Sequence, residues 1–516
     1  MSDDRNTGVS LTTLPLWGKI LLSLCAGALI PLSFAPFDWW PLGFVAIALF
    51  YLCLQQSSSG EAFKLGFALG LGLFGIGASW IFVSIYYYGE VAPIFAVLIT
   101  LGFVVFMALY NAVHCWLWQR YCSQWQAGIG FAATWVLCEI FRAWFLTGFP
   151  WLFLGYAHVT SPLSGVAPVF GVYGASLLVA VGGVWLAQLL STAVAAPRSQ
   201  ALRQLSLRYE SYALTALLLL AFASTQHDWT QRTAHEPVSV ALVQGNVPQE
   251  LKFNDIQQGL DDYARLTSPL WDTQIVLWPE TAIPLIHQKH PELIEQLAKQ
   301  AELHNTAFVT GIFYQSERGL HNSIITAGNA KGMWFKQKLV PFGEYVPLES
   351  LLADMLGMFN LPNTSLTAGP AEQALLDVAG VKVAPYICYE VVYPDFARRY
   401  GKDADLLLTI SNDTWFGASL GPLQHLQMAA MRARELGRYM LRATNNGISA
   451  LIDHEGHVVA ETQQFRAETL RGNVYVREGH TPFSRWGSWP VWLFCIAVLA
   501  MNVSIRQRRS TTTPRS

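Results

Sequence analysis

Charge is what this chain has least of. Asp, Glu, Lys and Arg make up 13% of its 516 residues and hydrophobic residues 52%, with Leu, Phe and Trp gathered in long runs, a pattern that excludes a wholly water-solvated protein. The net charge of −2 and the lack of a basic stripe exclude a phosphate-tracking surface, so nucleic acid is not an expected partner. Cysteine is scarce where it would cross-link. Cys25, Cys53, Cys115, Cys122, Cys138 and Cys495 lie in or beside apolar runs, which leaves Cys388 as the one thiol of the polar region and rules out a disulfide within it. The scattered histidines lack metal-ligand spacing, and His454-Glu455-Gly456-His457 reads as a hairpin turn, so no metal or other cofactor is expected. A serine-hydrolase reading is set aside for lack of a Gly-x-Ser-x-Gly nucleophile elbow.

What is present divides sharply. Residues 1–236 carry 18 charged side chains and residues 237–485 carry 46, so the first part reads as membrane and the second as a globular domain large enough for one core. About 20 apolar residues cross a bilayer. Spans are expected near residues 17–36, 39–55, 65–87, 92–118, 127–147, 166–194, 210–226 and 486–504. This gives a bundle over 1–226, a domain over 237–485, a final span over 486–504 and a basic tail over 505–516. Arg5, Lys19, Lys64, Arg120, Arg198, Arg203, Arg208, Arg506, Arg508, Arg509 and Arg515 all fall on one side of that arrangement, which predicts cytoplasmic termini and a periplasmic domain. Trp39, Trp40, Tyr86 to Tyr88, Trp151, Trp486 and Trp489 fall at outer span ends, as an aromatic belt or a rim for lipid access. Gly66, Gly70, Gly72, Gly75 and Gly77 suit close helix packing. Glu139 and Arg142 stand three apart on one helix face, costly in lipid unless paired, and are placed to hold the loop Thr147 to Trp151.

In the domain, short β-branched runs at Val238–Gln244, Ile275–Trp278, Ala307–Tyr314, Asn322–Ala327, Val381–Ile387 and Leu406–Ile410 alternate with helical stretches expected at Pro284–Leu303 and Leu423–Arg442. This is an α/β pattern. Three strands end in reactive groups: Glu280, whose burial is expected to raise its pKa and make it a base; Cys388, followed by Tyr389 and Glu390; and Ser411-Asn412-Asp413 before Thr414-Trp415-Phe416-Gly417. Between the first two lies Lys336-Gln337-Lys338-Leu339-Val340-Pro341-Phe342-Gly343-Glu344. A thiol, a carboxylate and a cation are the types that attack on a carbonyl requires: nucleophile, base and oxyanion partner.

Glu280, Lys336 and Cys388 resemble, in order and context, the Glu-Lys-Cys triad of the nitrilase (carbon–nitrogen hydrolase) superfamily. With Thr147-Gly148-Phe149-Pro150-Trp151, Thr444-Asn445-Asn446-Gly447 and the spans, nearly the whole chain resembles the bacterial apolipoprotein N-acyltransferase family. Two details depart from that pattern: Phe253 follows Lys252 where Trp is expected, and Lys338 stands near Lys336. The resemblance implies an extracytoplasmic α-β-β-α sandwich on a bundle of about eight transmembrane helices in the bacterial inner membrane. It also implies transfer of the sn-1 acyl chain of a phospholipid, such as phosphatidylethanolamine, through a Cys388 thioester to the α-amine of a diacylglyceryl apolipoprotein. Glu344 and Glu390 would orient Lys336 and the site; Tyr389 and Trp415 would support it. The competing readings are a membrane-tethered amidase and a transporter with a periplasmic binding domain.

Overall fold

A computed structural model describes residues 14–89, 91–123, 127–195, 209–346 and 365–512; Arg5, Arg198, Arg203, Arg208 and Arg515, used above for orientation, lie outside them. Among the described residues, five helices are long and apolar enough to cross a membrane: Leu16–Ser33, Ser59–Gly77, Pro93–Tyr121, Ser164–Thr192 and Trp489–Arg508. Pro41–Leu54, Ala127–Arg142 and Tyr209–Thr225 are shorter helices. Local sequence sets their starts. Pro41 and Pro93 occupy first-turn positions, where a missing N–H costs nothing, and Ser58 and Glu61 form a reciprocal capping box at the head of Ser59–Gly77. Gly66 and Gly70 let that helix approach Pro93–Tyr121: a Cβ on them would stand 2.4 Å from the Asn111 carbonyl oxygen and 2.5 Å from Ala108 Cα. Gly75 differs, since nothing lies within 4 Å of its Cβ position.

The third expected span is broken. It ends at Gly77 and resumes as Trp80–Val83 and a π-helical turn, Ser84–Tyr88. The final helix begins at Trp489 and runs to Thr512, so the basic segment starts as helix. Trp151 does not belong to an interfacial belt. It is 1% exposed, packs against Trp80, Phe149 and Phe416, and donates its indole N–H to Gln424 at 2.6 Å.

Among the described residues, the domain is built on two seven-stranded sheets. In the first, Val238–Gln244, Ile275–Leu277 and Ala307–Ser316 run parallel, with Gly319–Gly328, Met333–Phe335 and Glu468–Val474 added antiparallel. Its side chains alternate between two cores. Val240, Leu242, Ile275 and Leu277 face the second sheet, while Ala241, Val243, Val276 and Trp278 pack under Leu260, Tyr263 and Ala301 of the covering helices Ile256–Thr267 and Pro291–Leu303. In the second sheet, Val381–Ile387, Leu406–Ser411 and Met440–Thr444 run parallel, so their carboxyl ends open on one edge. The helix Gly421–Leu436 is buried on nearly every side because it lies between this sheet and the bundle. Its polar residues dock there: Gln427 accepts from Ala35 N at 3.2 Å, Glu435 accepts from Val172 N at 2.7 Å, and Arg434 donates to the Ser164 carbonyl at 2.9 Å.

Two expected helices change. Pro284–Leu303 begins as the strand Ile283–Ile286, passes through the 3₁₀ turn His287–Lys289 and becomes α-helix only at Pro291, which takes a first-turn position. Leu423–Arg442 ends at Leu436, where Gly437 adopts a left-handed cap (φ 64, ψ 39) and the chain turns into the strand Met440–Thr444. The expected turn at His454–His457 joins the antiparallel strands Ala450–Ile452 and Val458–Glu461.

Candidate active site

Glu280, Lys336 and Cys388 converge where the two sheets meet. Glu280 follows Ile275–Leu277 in a tight turn with Thr281 at φ 50, against Gly311 of the next strand; a Cβ on Gly311 would lie 2.4 Å from Thr281 N. Lys336 follows the edge strand Met333–Phe335, and its Nζ donates to Glu280 Oε1 at 3.1 Å and Glu344 Oε1 at 2.8 Å. Lys338 is not part of this pair; its ammonium lies 5.2 Å from the Tyr393 ring centroid.

Glu280 is held from both sheets. Oε1 also accepts Asn322 Nδ2 at 2.7 Å, and Oε2 accepts the backbone N–H of Asn412, at the end of Leu406–Ser411, at 2.8 Å. The expectation of a raised pKa is corrected here: burial pushes the carboxyl up, but Lys336, Asn322 and Lys252 outweigh it and hold Glu280 below the usual carboxylate range. Lys336 opposes burial in the same way, and Glu280 and Glu344 raise it. Lys252, which donates to the Glu280 carbonyl at 3.3 Å, is lowered by burial to about 8.

Cys388 leaves the strand Val381–Ile387 in a left-handed conformation, φ 51, at the start of a short 3₁₀ turn. Burial pushes its thiol well above the ordinary value and Glu280 adds to this, while Lys336 opposes them. The two shifts favour a neutral thiol near an ionised Glu280 carboxylate. Glu390 does not touch Lys336. It staples the chain around the site instead: Oε2 accepts Ile387 N at 2.8 Å and Trp334 Nε1 at 3.1 Å, and Oε1 accepts Gln337 N at 2.6 Å. Burial raises its pKa to about 7 against those donors.

Tyr389 points away from Glu280, its hydroxyl donating to the Gly148 carbonyl at 2.9 Å. Tyr393 donates to the Thr147 carbonyl at 2.9 Å, and the Tyr345 and Thr147 hydroxyls also meet. The Cys388 turn is thereby tied to the loop of the bundle that Arg142 holds from beneath, through the carbonyls of Phe149 (3.3 Å) and Trp151 (2.5 Å). Trp415 stands apart from the triad. It is 40% exposed at the rim, with its carbonyl accepting from Ser84 Oγ at 2.7 Å and its ring against Tyr88. Asn322, Asn412 and Lys252 complete the carboxylate's surroundings; only the Ser411-Asn412-Asp413 motif signalled one of them. The letters Gly-x-Ser-x-Gly do occur, at Gly417-Ala418-Ser419-Leu420-Gly421, but as a loop in which the Ser419 hydroxyl accepts from Gly421 N at 3.2 Å, not as a strand-to-helix elbow.

The paired sheets and the carboxylate–lysine–thiol cluster at their meeting edge define a carbon–nitrogen hydrolase domain, and the family of that description matches residues 239–478. Residues 26–185 match the apolipoprotein N-acyltransferase N-terminal domain. Proteins named apolipoprotein N-acyltransferase align over nearly the whole chain. That of Pseudomonas syringae pv. tomato is 42% identical, covering 95% of this chain and 99% of its own; that of Azotobacter vinelandii is 43% identical, covering 96% and 97%; that of Photobacterium profundum is 37% identical, covering 96% and 96%. A solved carbon–nitrogen hydrolase superfamily protein from Xanthomonas campestris aligns with TM-score 0.37 and 20% identity over 46% of this chain and 91% of that one. The chain belongs to the apolipoprotein N-acyltransferase family, a family of multi-pass membrane enzymes.

Proposed function

We propose that this protein moves the sn-1 acyl chain of a phospholipid, with phosphatidylethanolamine as the working donor, to the α-amine of an S-diacylglyceryl-cysteine at the start of a lipoprotein. The observation that carries this reading is a thiol-bearing turn with Glu280 and Lys336 around it, bonded through Tyr389 to a membrane loop, so that a lipid ester can reach the reacting atoms.

Glu280 takes the Cys388 proton as Sγ attacks the ester carbonyl, and the oxyanion faces Lys336 Nζ and backbone N–H groups. Collapse expels the lysophospholipid alkoxide, which takes the proton from Glu280, and leaves an acyl-thioester. The acceptor amine then attacks the thioester, passes a proton to Glu280, and Cys388 departs and is reprotonated. Glu344 holds Lys336, Glu390 fixes the turn, and Tyr389 docks it on the bundle.

The same reading places eight spans around the domain of residues 237–485, with both termini cytoplasmic and the domain periplasmic in an inner membrane. Arg506 lies over the Tyr121 ring, bringing the ends of two spans to one side, and Lys19 and Glu61 line one surface cleft at the starts of two others. The test is reconstitution with phosphatidylethanolamine deuterated in its sn-1 chain and a diacylglyceryl peptide. The expected products are lysophosphatidylethanolamine and a deuterated N-acyl peptide. Label released only as free fatty acid would make the protein a hydrolase and overturn the proposal.

A further inference from the structure

Behind the nucleophile turn lies a buried trio that the reaction above does not use. His425 projects from Gly421–Leu436, Asp413 follows Leu406–Ser411, and Arg442 stands in Met440–Thr444; they are 1%, 2% and 0% exposed. His425 Nε2 is 3.2 Å from the Cys388 carbonyl oxygen, and Nδ1 is 3.1 Å from Asp413 Oδ1 and 3.2 Å from an Arg442 nitrogen, which itself donates to Asp413 Oδ2 at 2.6 Å. A carbonyl oxygen only accepts, so Nε2 must carry a proton. Nδ1 faces both the Asp413 carboxylate, which only accepts, and an Arg442 N–H, and whether Nδ1 is protonated or bare the Cys388 carbonyl requires the proton on Nε2. Burial and Arg442 hold the imidazole below its ordinary pKa, against Asp413. The trio fixes the ring so that the Nε2 proton is aimed at the Cys388 carbonyl.

That carbonyl belongs to the residue whose backbone most needs holding. Cys388 bears a side chain yet sits at φ 51, a conformation that persists only where its surroundings enforce it. Two bonds bracket it: Glu390 accepts the N–H of Ile387 on one side, and His425 donates to the Cys388 carbonyl on the other. In a trans peptide the C=O and N–H point in opposite directions, so fixing the carbonyl also fixes the Tyr389 N–H, turned away from His425. We propose that His425 is a positioning residue for acyl transfer: its Nε2–H holds the Cys388 carbonyl, keeps the thiol in its left-handed turn, and presents the Tyr389 amide to the oxyanion. This rests on Cys388 being the nucleophile.

Two substitutions separate this role from simple packing. In His425→Gln the amide nitrogen takes the place of Nε2 and reaches the carbonyl; in His425→Asn the shorter amide takes the place of Nδ1 and does not. Full-length protein in phosphatidylethanolamine vesicles without acceptor is sampled for acyl mass on the Cys388 peptide, with the unfolding temperature recorded beside it. His425→Gln is expected within about threefold of wild type and His425→Asn at least about tenfold slower, in proportion to the loss of one aimed donor. Equal rates in the two folded variants would overturn the proposal. If His425→Asn does not fold, a folded His425→Gln decides alone: near wild type supports the role, and tenfold slowing contradicts it. Absence of any Cys388 adduct in wild type would instead overturn the nucleophile assignment.

Discussion

Glu139 and Arg142 in the bundle and Glu280, Lys336 and Glu344 in the domain are both sets of charge withdrawn from water, but they are satisfied differently. In the domain the opposite charges meet: Lys336 touches both carboxylates. In the bundle, Glu139 and Arg142 form no direct ion pair among the described residues and bond other groups instead. Arg142 donates to the carbonyls of Phe149 and Trp151 and lies over the Phe74 and Phe153 rings; Glu139 accepts from Trp135 Nε1 and from Leu154 N, both at 3.0 Å. Charges that bond backbone hold a loop in shape. Charges that bond each other, beside a thiol, hold protons in defined places, and this difference separates scaffold from chemistry.

The largest effect is expected from neutralising either partner of the paired set in the domain. Glu280→Gln and Lys336→Ala should slow formation of the Cys388 adduct by on the order of 100-fold or more while the protein stays folded. Activity within tenfold of wild type would make the paired set structural too. Next in size is pH. Since the Cys388 thiol is held well above its ordinary value, its reaction with iodoacetamide should rise about tenfold per unit from pH 7 to 9 without a plateau, because each unit below a thiol's pKa multiplies the thiolate fraction by that factor. Glu280, held low, stays ionised across that range and adds no acid limb. A plateau below pH 8 would mean a thiolate already formed at rest.

Arg142→Gln should act chiefly through stability, lowering the unfolding free energy by about 2–4 kcal/mol as buried carbonyls lose their donor, and acylation by about tenfold with the thioester still forming. Unchanged stability with lost acylation would move Arg142 into the chemistry. The smallest effect is expected at Trp415, exposed at the rim: Trp415→Ala should change the rate by no more than about threefold, measured in the same vesicle assay.

Much of the site was legible because its groups stand at strand ends, and apolar runs such as Val381–Ile387 and Val238–Gln244 announce their own limits. The strand Met440–Thr444 was hidden because Met440 continues the apolar spacing of the preceding helix, although Gly437 carried the stop signal. Trp151 looked interfacial by its place in the chain, but a loop that folds back into the protein buries it, and no periodicity reports that. The Glu280 pKa could not be read from an apolar neighbourhood alone, since Lys336 reaches it from 56 positions away. Asn322 bonds Glu280 and His425 meets the Cys388 carbonyl, contacts between residues far apart in the chain that the fold alone brings together.

Acyl transfer through Cys388 requires one covalent intermediate. Wild-type protein incubated with phospholipid and no acceptor should gain the mass of one acyl chain on the peptide containing Cys388; hydroxylamine should remove it, and a diacylglyceryl peptide should take it as an amide, with Cys388→Ser failing to accumulate or discharge it normally. A Cys388→Ala variant that still transfers acyl chains to the acceptor would contradict the assignment.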